Sequence, residues 1–132
     1  MTRDERIADI SDHLAYLNKW WQSLNVPATS VVTIVGFSQG VATASRWLAS
    51  GFAADKAIFH SGTLPSEWFN DSPEFSDRLK KVVSIRGNRD TLYTAEAHKS
   101  AATLFENLGL TFETTEVEGA HKMKAEHLIT YL

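Results

Sequence analysis

The segment that most constrains the fold of this chain is residues 31–40, which read V-V-T-I-V-G-F-S-Q-G. The run from Val31 to Val35 is apolar and β-branched, which favours a short strand buried on both faces. A G-x-S-x-G motif follows directly, and a helical pattern comes after it. This order is what a nucleophile elbow requires, since the elbow places a serine, here Ser38, on a strained and exposed turn between a strand and a helix.

The residues around Ser38 suit such a turn. Gly36 and Gly40 flank it, because side chains there would collide with the neighbouring strand and helix. The backbone N–H of Gln39 begins the helix and would point to where an oxyanion forms, with support from the helix dipole. The alternative is a tight strand–helix turn in which Ser38 only caps the helix.

A serine hydroxyl is a poor nucleophile without a base, and the elbow predicts its partners in the chain order serine, acid, histidine. Strand 81–86 is followed by a turn that carries Asp90 to the carboxyl edge of the sheet. Strand 111–117 leads to His121, in the loop that opens the last helix. Together with Ser38, these two residues are candidates in the order that the elbow requires.

Other histidines and acids fit this order less well. His60 falls between the serine and the acid along the chain, so a histidine at a strand end is the simpler interpretation. Asp55 and Asp71 precede the third strand and therefore rank below Asp90. The remaining histidines are predicted to lie in helices and to face solvent: His13, His98 and His127.

With these residues, the chain resembles the α/β-hydrolases, and within them the small carboxylesterase and phospholipase-like branch that includes acyl-protein thioesterases. The matching segments are G-F-S-Q-G at 36–40, H-S-G-T-L-P at 60–65, R-G-N-R-D at 86–90 and E-G-A-H at 118–121. The chain departs from the branch at Val41 and Arg86, which stand where a glycine and a histidine are common.

The resemblance implies that Ser38 is the nucleophile, His121 the general base and then acid, and Asp90 the residue that orients the imidazole. It implies hydrolysis of a small acyl ester or thioester through an acyl-enzyme, without a cofactor or metal. It also suggests that the loop 61–80 walls an acyl pocket through Leu64, Trp68 and Phe69. Alternatively, these side chains only cover the end of the sheet.

The residues before the elbow strand depart most from the family. Residues 2–24 are predicted to be a helix, with apolar residues at spacings of three and four and a capping box of Thr2 and Glu5. The family has several strands before the elbow, one of which carries a His-Gly loop that donates a second oxyanion N–H. The chain therefore looks like the C-terminal portion of an α/β-hydrolase, with residues 1–132 as one truncated domain. A fragment, a product of an internal start at Met1 and a natural short form all stay open.

The alternation of strands and helices predicts a three-layer α/β/α fold with a small, mostly parallel sheet of about four strands. The predicted order is helix 2–24, strand 31–36, helix 38–50, strand 56–60, loop 61–80, strand 81–86, helix 94–108, strand 111–117 and helix 121–131. Strand 31–36 would lie at one edge, and a long apolar edge invites association. We expect a homodimer that covers this edge, although the first helix and solvent are an alternative cover.

Composition excludes several classes of function. A net charge of −3 gives no basic surface for nucleic acid. The sequence has no cysteine for disulfides or thiol chemistry, and it has neither a phosphate-loop motif nor a H-E-x-x-H metal motif. It contains no secretory signal and no span of about 18 apolar residues, so the expected location is the cytoplasm.

Two classes of function therefore stay open. The first is a working esterase or thioesterase, completed if necessary by a second chain. The second is a non-catalytic or impaired hydrolase-like domain that folds and self-associates but turns nothing over. Loss of one oxyanion donor costs roughly 10²–10³-fold in kcat, so the missing His-Gly loop bears on both classes.

Overall fold

The computed structural model describes residues 2–71 and 73–132. The chain divides into two compact units, the first ending at Val31 and the second comprising Val32–Leu132. The organisation of residues 1–132 as one truncated domain stays a prediction.

The first unit contains helix α1, which spans Arg3–Ser23. Its N-terminus has the expected capping box, because the Glu5 N–H donates to Thr2 Oγ1 at 3.1 Å and the Thr2 N–H donates to the Glu5 carboxylate at 2.7 Å. The helix ends before Asn25, whose φ of 51° lies outside the helical region. The helix predicted over 2–24 is therefore confirmed to within one residue at each end.

The second unit is built on a four-stranded parallel sheet in the order β1-β2-β3-β4. The strands are β1 Thr33–Phe37, β2 Lys56–His60, β3 Lys81–Gly87 and β4 Phe112–Val117. The helices are α2 Gln39–Ala49, α3 Glu67–Asn70, α4 Ala95–Asn107 and α5 Ala125–Ile129. Among the described residues, no helix is both long enough and apolar enough to cross a membrane.

Helices cover both faces of this sheet. On one face, α2 and α4 bury an apolar cluster that includes Val41, Leu48, Phe59, Val82 and Phe105. On the other face, α5 packs over a smaller cluster formed by Ile58, Val83, Ile85, Val117, Leu128 and Tyr131. Because neighbouring residues of a strand point to opposite faces, Phe59 and Ile58 enter different clusters. The three-layer α/β/α architecture predicted from the sequence is confirmed.

Strand β1, the last helix and the segment 61–80 differ from the prediction by more than one residue. Strand β1 begins two residues late, since Val31 is 83% exposed and the Val32 N–H donates to the Asp55 carboxylate at 2.7 Å. The helix predicted over 121–131 is reduced to α5, because Lys124 has an extended backbone (φ −113°, ψ 149°) and the helix begins only after it. The segment 61–80, predicted as a loop, contains the short helix α3.

A buried pair of histidines joins α5 to the sheet. His60, at the end of β2, is fully buried, and its Nε2 lies 2.8 Å from Nδ1 of His127 in α5. His127 Nδ1 also accepts the Lys124 N–H at 3.3 Å and is therefore unprotonated. It follows that His60 donates its Nε2–H to His127 and that His60 Nδ1 accepts the Ser61 hydroxyl at 2.7 Å.

This arrangement corrects the prediction that His98 and His127 face solvent, since both side chains are buried. His13 is exposed, as expected. The hydrogen bonds also leave His127 Nδ1 without a proton, because a proton there would remove the acceptor of two bonds. Burial lowers the pKa of His60 to about 4, and the adjacent His127 and the nearby His121 add to this effect while Asp90 opposes it.

The pair predicts an acid-sensitive fold. In the unfolded chain His60 has its ordinary pKa of about 6.5, whereas in the folded chain its pKa is about 4. Stability contributed by neutral His60 is therefore present above about pH 6.5 and is lost as the pH falls toward 4, by at most about 1.4 kcal/mol per pH unit. Urea unfolding followed by tryptophan fluorescence at several pH values in this window measures the slope.

The matched variants are His60→Leu and His13→Leu, which remove a buried and an exposed histidine. We expect the slope to become shallower in the first variant and to stay unchanged in the second. An unchanged slope in His60→Leu would contradict the assignment.

Candidate active site

The site begins at the turn between β1 and α2. Ser38 occupies this turn with φ 56° and ψ −120°, a conformation that residues with a side chain rarely adopt. Two backbone hydrogen bonds hold it there: the Ser38 N–H donates to the His60 carbonyl at 2.9 Å, and the Val41 N–H donates to the Ser38 carbonyl at 3.1 Å. The Ser38 side chain makes no capping bond to α2, which contradicts the alternative of a purely capping serine.

Close packing of β1 against α2 explains one of the two flanking glycines. A Cβ on Gly36 would lie 2.6 Å from the carbonyl oxygen of Gly40, so any side chain would push the strand and the helix apart. A Cβ on Gly40 would meet no atom within 4 Å, and the collision expected at that position is absent. Gly40 thus contributes its backbone, while Gly36 needs to lack a side chain.

The turn residue Gln39 is the first residue of α2. Its backbone N–H therefore has no partner within the helix and lies beside Ser38 at the positive end of the helix dipole. This is the position predicted from the sequence for an oxyanion donor.

The structure brings Ser38, Asp90 and His121 into one hydrogen-bonded chain. His121 Nε2 lies 2.9 Å from Ser38 Oγ, and His121 Nδ1 lies 2.8 Å from Asp90 Oδ2. A carboxylate can only accept, so Nδ1 carries the ring proton and Nε2 is free to accept the serine hydroxyl. The imidazole is thus in the tautomer that a base acting on Ser38 needs.

Asp90 is held as a buried carboxylate. Its Oδ1 accepts the N–H groups of Leu92 and Tyr93, both at 2.9 Å, while Oδ2 faces His121. Burial by itself raises the pKa of Asp90, but the hydrogen bonds from Tyr93, His121 and Leu92 outweigh burial, so the pKa lies below its usual value. The group facing the imidazole therefore carries a negative charge.

Backbone contacts between two loops place Asp90 opposite His121. The Asn88 N–H donates to the Val117 carbonyl and the Arg89 N–H donates to the Gly119 carbonyl, each at 2.8 Å. Gly87 makes this approach possible, because a Cβ there would lie 2.6 Å from the Gly119 carbonyl oxygen. The loop after β3 and the loop after β4 therefore continue the sheet pairing beyond the strand ends.

Phe37 packs against the imidazole of His121. Its ring centroid lies 5.1 Å from that of His121, and it also lies 5.6 Å from the buried His60 ring in an edge-on arrangement. The imidazole of His121 is thus confined by an aromatic ring on one side and hydrogen-bonded at both nitrogens.

The three residues predicted to wall an acyl pocket do not share one environment. Leu64 and Trp68 are buried in the cluster under α2, where Trp68 packs on Phe59 and Phe75, whereas Phe69 is half exposed. Leu64 and Trp68 therefore belong to the apolar core, and Phe69 alone of the three has a large exposed surface.

Two further features of the described residues bear on chemistry: groups of metal ligands and buried polar groups without a partner. No group of three or more His, Asp or Glu side chains there could hold a metal ion. Within the same residues, the indole N–H of Trp68 is a buried side-chain polar group without a hydrogen-bond partner.

Comparison with known proteins places the fold. No family model matches the sequence, and no curated protein matches it. Three solved structures show the likeness. SOBER1 from Arabidopsis thaliana matches 97% of this chain with a TM-score of 0.71 and 21% identity, and the match covers 61% of SOBER1.

The carboxylesterase of Bacillus cereus matches 94% of the chain at 14% identity with a TM-score of 0.71, and 57% of that enzyme is covered. MGS-M1, an α/β hydrolase enzyme from a Medee basin deep-sea metagenome library, matches 87% at 16% identity with a TM-score of 0.57, and 49% of it is covered. At such identities the likeness concerns the fold. The chain therefore has the fold of these structures, one of which is described as an α/β hydrolase, and it spans about three fifths or less of their length.

Proposed function

We propose that this chain is a serine hydrolase that cleaves carboxylic esters or thioesters through an acyl-enzyme. The observation that carries the proposal is the continuous hydrogen-bonded chain from Ser38 through His121 to Asp90, at 2.9 and 2.8 Å. These residues come from three separate segments, and their tautomers and charges agree with the roles of nucleophile, base and orienting acid. The strained backbone of Ser38 supports the same assignment, since unusual backbone conformations concentrate at functional sites.

The first half of the reaction forms the acyl-enzyme. Ser38 Oγ attacks the acyl carbon while His121 Nε2 takes the hydroxyl proton, and the carbonyl oxygen becomes an oxyanion that the Gln39 N–H stabilises. Asp90 stabilises the resulting imidazolium through Nδ1–H. The bond to the leaving group then breaks, and the alcohol or thiol takes its proton from His121 Nε2.

The second half releases the acid. Water attacks the acyl carbon of the ester on Ser38 and gives a proton to His121 Nε2. Collapse of this second oxyanion breaks the bond to Ser38 Oγ, which recovers the proton from His121. Small acyl esters and thioesters are the proposed substrates, and we propose that the half-exposed Phe69 contacts them.

A second candidate function is a hydrolase-like domain without turnover. It is favoured by one observation: among the described residues, Gln39 is the one oxyanion donor that we assign. A single donor would leave the oxyanion weakly stabilised, even with an intact chain of hydrogen bonds at Ser38.

Hydrolysis of p-nitrophenyl acetate separates the two functions. In an active chain, Ser38→Ala should lower kcat by about 10³-fold or more, because no other group supplies the nucleophile. Ser66→Ala, an exposed serine at the start of α3 without a capping bond, is the matched control and should leave kcat within about twofold of the unaltered chain. Equal rates for the unaltered chain and Ser38→Ala would exclude turnover at Ser38.

Covalent labelling with a fluorophosphonate adds a readout that does not need turnover. Labelling of the unaltered chain and not of Ser38→Ala would show an activated serine even in an impaired enzyme. A chain that neither labels nor hydrolyses the ester has no activated serine.

We further propose that two copies of the chain associate along β1. Strand β1 is a terminal strand of the sheet, and no other described strand pairs with its outer edge. Val35, within this strand, is 37% exposed, and Val31 just before it is 83% exposed. An unpaired edge with exposed valines favours association through that edge or the adjacent apolar surface.

Analytical ultracentrifugation tests this association. The unaltered chain should sediment as a dimer that dissociates on dilution, and Val35→Lys should shift the equilibrium toward the monomer by placing a charge on the edge strand. Lys80→Ala, a change at an exposed lysine outside β1, is the control. A monomer at all concentrations would contradict the dimer.

A further inference from the structure

Arg86 is a buried arginine that has no role in the reaction described above. It is the sixth residue of β3 and is only 8% exposed, although charged side chains are rarely buried without full pairing. Its acidic neighbour, Glu116, is half exposed and lies 3.4 Å away. A single long contact to a solvated carboxylate does not account for the burial of the guanidinium.

The short hydrogen bonds of Arg86 go to backbone instead. Arg86 Nε donates to the Tyr93 carbonyl and Arg86 Nη2 donates to the Asp90 carbonyl, both at 2.9 Å. The planar guanidinium thus spans the two ends of the segment 90–93. An arginine can hold two acceptors in one plane in this way, while a lysine ammonium is a point charge on a flexible stem.

The same segment holds the carboxylate of Asp90 from its other side. The N–H groups of Leu92 and Tyr93 donate to Asp90 Oδ1, and this leaves Oδ2 to accept the imidazole proton of His121. Carbonyl groups of the segment therefore face Arg86, and N–H groups of the segment face the carboxylate. If the carbonyl groups move, the N–H groups that orient the carboxylate move with them.

We propose that Arg86 is a positioning residue for Asp90, which fixes the carboxylate opposite His121 by clamping the backbone carbonyls of Asp90 and Tyr93. This inference rests on the proposed function only for its kinetic consequence, because the clamp and the His121–Asp90 hydrogen bond exist whether or not Ser38 turns over an ester. Arg86 acts through the geometry of the loop, so a positive charge alone does not replace it.

Arg86→Lys tests the clamp, since it keeps the charge and removes the fork. Two control variants accompany it. Glu116→Gln removes the exposed acidic partner and leaves the fork on the two carbonyls intact. Arg78→Lys breaks a second arginine fork, which Arg78 makes with the carboxylate of Asp55 just before β2. It measures the effect of losing a fork that lies away from Ser38, Asp90 and His121.

The first readout is the low-field NMR signal of the His121 Nδ1 proton in its hydrogen bond to Asp90. We expect this signal to shift upfield or to broaden by exchange in Arg86→Lys and to persist in both controls. A signal that is unchanged in folded Arg86→Lys would overturn the inference, and so would equal loss in Arg86→Lys and Arg78→Lys. This readout needs no activity, and it therefore separates failure of the inference from failure of the proposed function.

The second readout is kinetic. In an active chain, Arg86→Lys should lower kcat by about 10–100-fold with KM within about threefold, because misplacing a catalytic group weakens the transition state more than substrate binding. When Asp90→Asn is already present, adding Arg86→Lys should lower kcat by less than about threefold further, since a clamp has little effect once its carboxylate is gone. Additive losses, or a loss confined to KM, would overturn the positioning role.

Hydrogen exchange on the unaltered chain covers the case in which Arg86→Lys does not fold. The Arg86 Nε–H and the amide N–H groups of Leu92 and Tyr93 should share one opening rate, because a single clamp protects them all. Fast exchange of the two amides beside a protected Arg86 Nε–H would contradict the clamp.

Discussion

Parallel pairing of the four strands is the constraint on which the candidate site depends. In a parallel sheet all carboxyl ends meet at one edge, and the residues that follow β1, β3 and β4 include Ser38, Asp90 and His121. The pairing continues past the strands, where Asn88 and Arg89 bond the loop that carries His121. Without this extension Asp90 and His121 would lie at the same end of the sheet but would have no fixed separation.

The second constraint is the turn at Ser38, which an isolated peptide would not adopt. Its positive φ is maintained by the His60 carbonyl and by the close approach of Gly36 to the backbone of Gly40. The same β2 end that anchors the turn is also the point at which the sheet meets α5 through His60 and His127. One strand terminus therefore supports both the serine and the helix that follows the His121 loop.

Local patterns in the sequence predicted much of this arrangement. The β-branched run before G-x-S-x-G, the capping box of Thr2 and Glu5, and the alternation of strands and helices each report on neighbouring residues, and the corresponding elements are present. Contacts between distant residues were beyond such patterns. His127 lies 67 positions from His60, so nothing near it along the chain indicates its burial, and the carbonyl groups that hold Arg86 leave no trace in the sequence pattern.

The sequence by itself determined the order of the elements and the elbow motif, because both depend on spacing over a few positions. It also predicted the three candidate residues, from their order along the chain and the strands that precede them. Only the tertiary structure decided that the ring proton of His121 is on Nδ1, facing Asp90. It also decided that Trp68 is buried in the core while Phe69 is exposed, and that Arg86 donates to backbone carbonyls. These features depend on which groups meet across the sheet. Burial and hydrogen-bond geometry are properties of the assembled neighbours, and they are fixed only when the strands and loops pack together.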